Sequence, residues 1–116
     1  MNALTKTDFK FEGQRNVYHG KVRDVYDIDD DLIVMVATDR ISAFDVVLPK
    51  GIPFKGQVLN QLSLWWFENT KDIIKNHIIS CPDPNCIIVT EVKPLPIEVI
   101  VRGYITGVTS TALWYR

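Results

Sequence analysis

Leu32 to Ala37 reads Leu-Ile-Val-Met-Val-Ala without a polar interruption, and this run constrains the chain more than any other feature. A segment apolar on both of its alternating faces must be covered from both sides, which fits a central strand of a sheet. Asp29-Asp30-Asp31 precedes it and supplies a turn. Before that turn, Asn16 to Ile28 has strand character, with Val22, Asp24, Tyr26 and Ile28 on one face and Arg23, Val25 and Asp27 on the other. After the run, Thr38 to Ala43 is a polar interruption, Phe44 to Leu48 resumes strand character, and Pro49-Lys50-Gly51 ends it.

The period then changes. Val58, Leu59, Leu62, Trp65 and Trp66 fall at helical spacing within Gly56 to Thr70, which predicts one helix of about four turns with that face in the core. Pro82 to Asn85 is a turn and Cys86 to Val92 a further strand. Lys93-Pro-Leu-Pro96 cannot be regular, because two prolines remove donors and fix φ. Ile97 to Ile105 alternates as a final strand would, and Thr109 or Ser110 is placed to cap a helix starting at Thr111. Strands, one helix, more strands and the start of another helix make an α+β order in a single domain.

Composition excludes several classes. With 116 residues, 47% of them hydrophobic, the chain is too apolar for a disordered segment, and its longest apolar run is far below the ~20 residues of a membrane helix. Met1 to Lys10 lacks the apolar core of a secretory leader. A net charge of −1 argues against a nucleic-acid coat. A soluble, cytoplasmic protein is the expectation. Cys81 and Cys86 have only His77 nearby as a further metal ligand, and a disulfide is unusual in a reducing compartment. Two free thiols at a turn are expected.

Charge is unevenly placed. Lys10 to Arg23 holds four basic residues and one acid, and Asp24 to Asp31 holds five acids and no base. Two readings stand side by side: a solvated hairpin with opposite charges on facing strands, or a basic loop that receives an anion. Neither Gly20-Lys21 nor Gly51-x-x-x-x-Gly56 completes a Walker motif. In Gly20-Lys-Val-Arg23, the glycine lets backbone N–H groups approach a ligand, and Lys21 and Arg23 flank the opening. Protein kinases cover ATP phosphates with a glycine-containing hairpin of this general sort. Ala37-Thr-Asp-Arg-Ile-Ser-Ala-Phe-Asp45 is either a strand connection satisfied by Asp39 or Ser42, or a polar edge facing substrate. Glu98 and Arg102 share strand parity, and either pair with each other or line a cleft.

Together these segments resemble a known family. Gly20-Lys-Val-Arg-Asp-Val-Tyr26, Ala37-Thr-Asp-Arg-Ile-Ser-Ala-Phe-Asp45, Lys55-Gly56 before Val-Leu-Asn-Gln-Leu-Ser, and Leu95-Pro-Ile-Glu-Val-Ile-Val-Arg-Gly-Tyr-Ile-Thr-Gly107 are similar, in order, to phosphoribosylaminoimidazole-succinocarboxamide synthase (SAICAR synthetase). The resemblance runs from about Tyr18 to the last residue. It departs at Val108, where the family usually has Ser. It implies an antiparallel sheet with one main helix, like the small ATP-binding lobe of protein kinases, and makes residues 1–116 the N-terminal lobe of a longer, two-lobed enzyme.

By that resemblance the enzyme joins carboxyaminoimidazole ribonucleotide and L-aspartate at the expense of ATP, in purine biosynthesis, releasing ADP and phosphate. Phosphoryl transfer to the poor carboxylate electrophile gives an acyl phosphate for the aspartate amine. Gly20, Lys21, Val22 and Arg23 are implied at the ATP phosphates, the N–H groups of Lys93 and Leu95 at adenine, and Glu98 near the nucleotide. Arg102 is implied at the ribonucleotide substrate, with Asp39 and Ser42 near the substrate cleft. No residue is assigned to catalysis. Mg²⁺ is implied with ATP, its ligands outside this chain, so the isolated segment is expected to be inactive and to self-associate as a homo-oligomer. A non-catalytic nucleotide-binding lobe and another kinase-like phosphotransferase are the competing readings.

Overall fold

In the computed structural model, residues 2–29 and 31–105 are described. Leu32–Ala37 forms β3, the middle of an antiparallel five-stranded sheet. Its neighbours are β2 (Arg23–Ile28) on one side and β7 (Cys86–Thr90) on the other. β1 (Gln14–His19) and β6 (Ile78–Asp83) are the edges, giving the order β1-β2-β3-β7-β6. The segment expected as one strand from Asn16 is thus a hairpin that turns at Gly20–Val22. A strand of thirteen residues is long for a small sheet, and folding it back lets Tyr18 face Val25 and His19 face Asp24.

The unbroken apolar run is explained by its two coverings. Val34 and Val36 share a face with Tyr26, and Leu4, Phe11 and Ile88 pack against them. Phe11 meets the Tyr26 ring edge-on at 5.2 Å. The opposite face carries α1 (Lys55–Thr70), and Ile87 and Val89 are buried there. Between β3 and α1, a small hairpin pairs β4 (Ser42–Ala43) with β5 (Val46–Val47). Phe44 and Asp45, expected in a strand, form its two-residue turn at φ 50° and 63°. Such consecutive left-handed residues match the twist of a tight hairpin.

Two expectations are corrected. The helix was expected to bury Val58, Leu59, Leu62, Trp65 and Trp66, but all five are exposed, and Gly56 and Asn60 are its buried residues. Asn60 is drawn in because its side chain donates to the Pro84 carbonyl, and Gly56 because nothing larger fits. Ile97 to Ile105 is irregular and exposed rather than a strand. Alternation permits a strand, but its backbone still needs a sheet edge to pair with, and this stretch joins neither described sheet. The helix expected after Thr109 or Ser110 lies outside the described residues, as does Val108.

Gly56 fixes the approach of helix to sheet. A Cβ there would lie 2.2 Å from the Ala37 carbonyl oxygen, a contact that only backbone displacement relieves. Gly56→Ala is therefore expected to lower stability by about 1–3 kcal/mol, read as a reduced urea midpoint at unchanged m-value.

Candidate nucleotide-binding site

The site is built at the end of the sheet where β2 begins and β3 finishes, since Arg23 faces Ala37 there. Its centre is the Asp24 carboxylate, on the buried face of β2 and 0% exposed. Oδ2 accepts from the Thr7 N–H at 3.1 Å and the Thr7 hydroxyl at 2.7 Å. Oδ1 accepts from Arg40 Nη2 and from His19 Nδ1, each at 2.8 Å. A carboxylate only accepts, so His19 carries its proton on Nδ1. The Thr7 hydroxyl spends its one proton on Asp24, so the Tyr26 hydroxyl, 2.6 Å away, donates to Thr7 and accepts from the Phe9 N–H at 3.1 Å. Burial pushes the Asp24 carboxyl up, but hydrogen bonds from Arg40, Thr7 and His19 outweigh it and hold the group at about 2, against an ordinary 3.8.

Arg40 joins this centre to the β1–β2 loop. Its Nε donates to the Lys21 carbonyl at 3.1 Å, Nη2 to the Gly20 carbonyl at 3.0 Å, and Nη1 to the Thr5 carbonyl at 2.9 Å. The loop is closed by the Gly20 N–H on the Arg23 carbonyl at 2.7 Å. Thr38 holds the Val22 carbonyl through its N–H at 3.1 Å and its hydroxyl at 2.7 Å. The Lys21 and Val22 N–H groups have no protein acceptor among the described residues. Beside the loop lies a hollow of about 280 Å³ whose lining includes Lys6, His19, Lys21 and Arg40.

The reading of opposite charges on facing strands holds in part. Arg15 pairs across the hairpin with Asp27 at 2.8 Å, as opposite charges on facing strands should. Lys21 instead reaches the exposed Asp45 on the β4–β5 turn and holds that carboxyl below its ordinary range. Arg23 opens β2 with its side chain exposed.

The expected site residues are brought together only in part. Gly20, Lys21, Val22, Arg23, Asp39 and Ser42 gather at this end of the sheet. Both Asp39 oxygens are occupied by backbone donors, Leu4 N–H at 2.8 Å and Gly56 N–H at 2.9 Å, so the carboxylate sits at the N-terminus of α1 and favours it. Lys93 and Leu95 follow β7, whose last residue, Thr90, faces Leu32 at the other end of the sheet. Glu98 and Arg102 lie farther along, exposed, and the shared strand face expected of them is not formed. A hollow of about 560 Å³ is at that far end, and its lining includes Phe67, His77 and Val92. Arg40 and Asp24 were not expected in the site. An Arg in the short polar stretch after an apolar strand was the available signal for the first, and a carboxylate sharing a face with Tyr26 for the second.

Cys81 and Cys86 are free thiols, and burial pushes the Cys86 thiol up. Among the described residues, no three His, Cys, Asp or Glu side chains are grouped to hold a metal ion. Among the described residues, no helix is long and apolar enough to cross a membrane.

The SAICAR synthetase family profile matches residues 16–115. The chain belongs to that family. It is 58% identical over 107 residues to a phosphoribosylaminoimidazole-succinocarboxamide synthase of Bacteroides fragilis, covering 92% of this chain and 34% of the relative. The corresponding protein of Legionella pneumophila is 56% identical over 112 residues, covering 97% and 34%. The chain thus spans about a third of the length of the curated relatives it matches. The fold matches the SAICAR synthase of Saccharomyces cerevisiae, solved with SAICAR, at TM-score 0.79 and 33% identity over 94% of this chain and 44% of that one. A type-2 SAICAR synthetase solved with ADP matches at TM-score 0.63 and 33% identity, over 70% and 35%. An antiparallel sheet with one helix is therefore the family's architecture in this region.

The Asp24 cluster gives a pH test. Its folded value lies below its unfolded one, so ionisation stabilises the fold above about 3.8, and this contribution is lost as pH falls toward about 2. Asp24→Asn leaves the Arg40 cation without its charged partner and is expected to cost about 3 kcal/mol at neutral pH. In urea titrations over descending pH, the gap between wild type and variant should close through that acid window.

Proposed function

We propose that this chain supplies the ATP-binding part of an ATP-dependent ligase that joins carboxyaminoimidazole ribonucleotide to L-aspartate, yielding SAICAR, ADP and phosphate, in the cytoplasm. One observation carries the reading: the β1–β2 loop presents two successive amide donors, Lys21 and Val22, without protein acceptors among the described residues, and the same loop carries the exposed Lys21 ammonium. Adjacent backbone N–H groups with a nearby cation suit phosphate oxygens. Family membership, the synthase activity named for the relatives and the ADP bound by a type-2 SAICAR synthetase support the choice of nucleotide and reaction.

The sheet gives the proposal its dimensions. The loop lies at one end of β2 and β3, and Lys93 and Leu95 depart from the other. Six strand residues span on the order of 20 Å, the scale of an extended nucleoside triphosphate. The phosphates belong at Gly20 to Arg23. Adenine belongs at the N–H groups of Lys93 and Leu95, which flank Pro94 and are the residues of Lys93 to Pro96 with donors to give, with Glu98 nearby. Arg102 and Ser42 face the ribonucleotide, and Asp39 serves that side through the backbone it holds. Bound ATP supplies the phosphoryl group that activates the substrate carboxylate. The chain's own part is to orient the nucleotide and offset its charge. Mg²⁺ ligands come from outside the described residues.

Lys21→Ala tests the phosphate assignment in the full-length enzyme carrying this segment. Lys21 exchanges an exposed, solvent-screened pair with Asp45 for a charge-assisted contact at the low end of ~1.5–3 kcal/mol. ATP affinity should fall about tenfold and adenosine affinity should hold. Calorimetric titration with both ligands checks this, and equal losses, or none, reject the assignment.

A further inference from the structure

We infer that Arg40 is a positioning residue for the triphosphate: it orients the loop's two open N–H donors by gripping the carbonyls on the other side of the same peptide planes. The inference rests on the reading of Gly20 to Arg23 as the phosphate loop.

In a trans peptide the C=O of one residue and the N–H of the next point in opposite directions. The Gly20 carbonyl shares its plane with the Lys21 N–H, and the Lys21 carbonyl shares its plane with the Val22 N–H. Arg40 holds both carbonyls, at 3.0 Å and 3.1 Å. The two N–H groups are thereby turned away from Arg40, side by side, and neither has a protein acceptor among the described residues. A loop free to rotate would satisfy such donors with water or with its own carbonyls. This one is kept with both facing out.

The guanidinium is suited to this role and poorly suited to binding the ligand itself. Four of its five N–H donors are engaged, on Lys21, Gly20, Thr5 and Asp24. Its side chain is only 14% exposed and its charge is opposed by Asp24, itself fully buried. Asp24 is in turn fixed by Thr7 and His19, so the grip on the loop is anchored from behind. Arg is required because the planar fork reaches adjacent carbonyls at once, whereas the Lys ammonium is a point charge on a flexible stem.

The test uses Arg40→Lys and Arg40→Gln in the full-length enzyme carrying this segment, beside Lys21→Ala, with calorimetric titration by ATP and by adenosine. Lys retains the charge opposite Asp24 and Gln retains a polar side chain, and neither rebuilds the fork. In the folded variants, ATP affinity should fall about tenfold while adenosine affinity stays within twofold of wild type. A role confined to stability would lower the melting temperature and leave the ratio of the two affinities unmoved. If Lys21→Ala shows the ATP-selective loss but the Arg40 variants bind ATP as wild type, or lose both ligands equally, the role of Arg40 is overturned and the phosphate loop stands. If Lys21→Ala shows no selective loss, the phosphate loop itself fails and the inference with it. If neither Arg40 variant folds, Arg40 is a residue of stability and the inference is overturned.

Discussion

The buried carboxylate of Asp24 is the constraint on which the rest of this structure depends. A charge withdrawn from water is tolerable only when its lone pairs are filled and an opposite charge stands beside it. Meeting that demand recruits Thr7 from the N-terminal segment, His19 from β1 and Arg40 from the segment after β3. One ion thereby ties the N-terminal segment and the stretch after β3 to the β1–β2 hairpin. The Thr7 hydroxyl passes the constraint on to Tyr26 and Phe9, which brings the aromatic cover onto the same face of the sheet. Arg40 passes it on to the β1–β2 loop.

Asp39, one residue before Arg40, plays a parallel part toward α1. Its oxygens join the Leu4 N–H to the Gly56 N–H at the start of α1, and the absence of a side chain at Gly56 lets the helix reach the Ala37 carbonyl. Two adjacent residues of opposite charge thus tie the N-terminal segment to the β1–β2 loop and to the start of α1. The polar stretch between β3 and β4 is the joint of the domain as well as a border of its proposed site.

The helix shows where pattern and packing part. Its apolar positions repeat as a buried face should, yet Trp65 and Trp66 are each more than half exposed, their rings edge to face with one another at 5.0 Å. The residues turned inward are Gly56 and Asn60, because close approach and a hydrogen bond to Pro84 decided the rotation. Periodicity identifies a helix, but it does not say which neighbour the apolar stripe meets. The same holds for Ile97 to Ile105, whose alternation would suit a strand and which pairs with neither described sheet.

The sequence by itself determined the local elements whose reasons are local. Leu32 to Ala37 is central because both of its faces are apolar, the helix spans its expected residues because the period changes there, and Lys93 to Pro96 is irregular because proline forbids otherwise. The ordered motifs also disclosed the family and the loop at Gly20. What tertiary structure decided is everything that depends on groups far apart in the chain: the burial of Asp24 beside Arg40, sixteen residues on, the placement of Asp39 beneath a helix, the turn at Phe44 and Asp45, and the separation of Gly20 from Lys93 along the sheet. A charged residue looks the same in sequence whether it is solvated or buried. Only the fold brings up the partner that makes burial affordable, and with it the orientation of the loop.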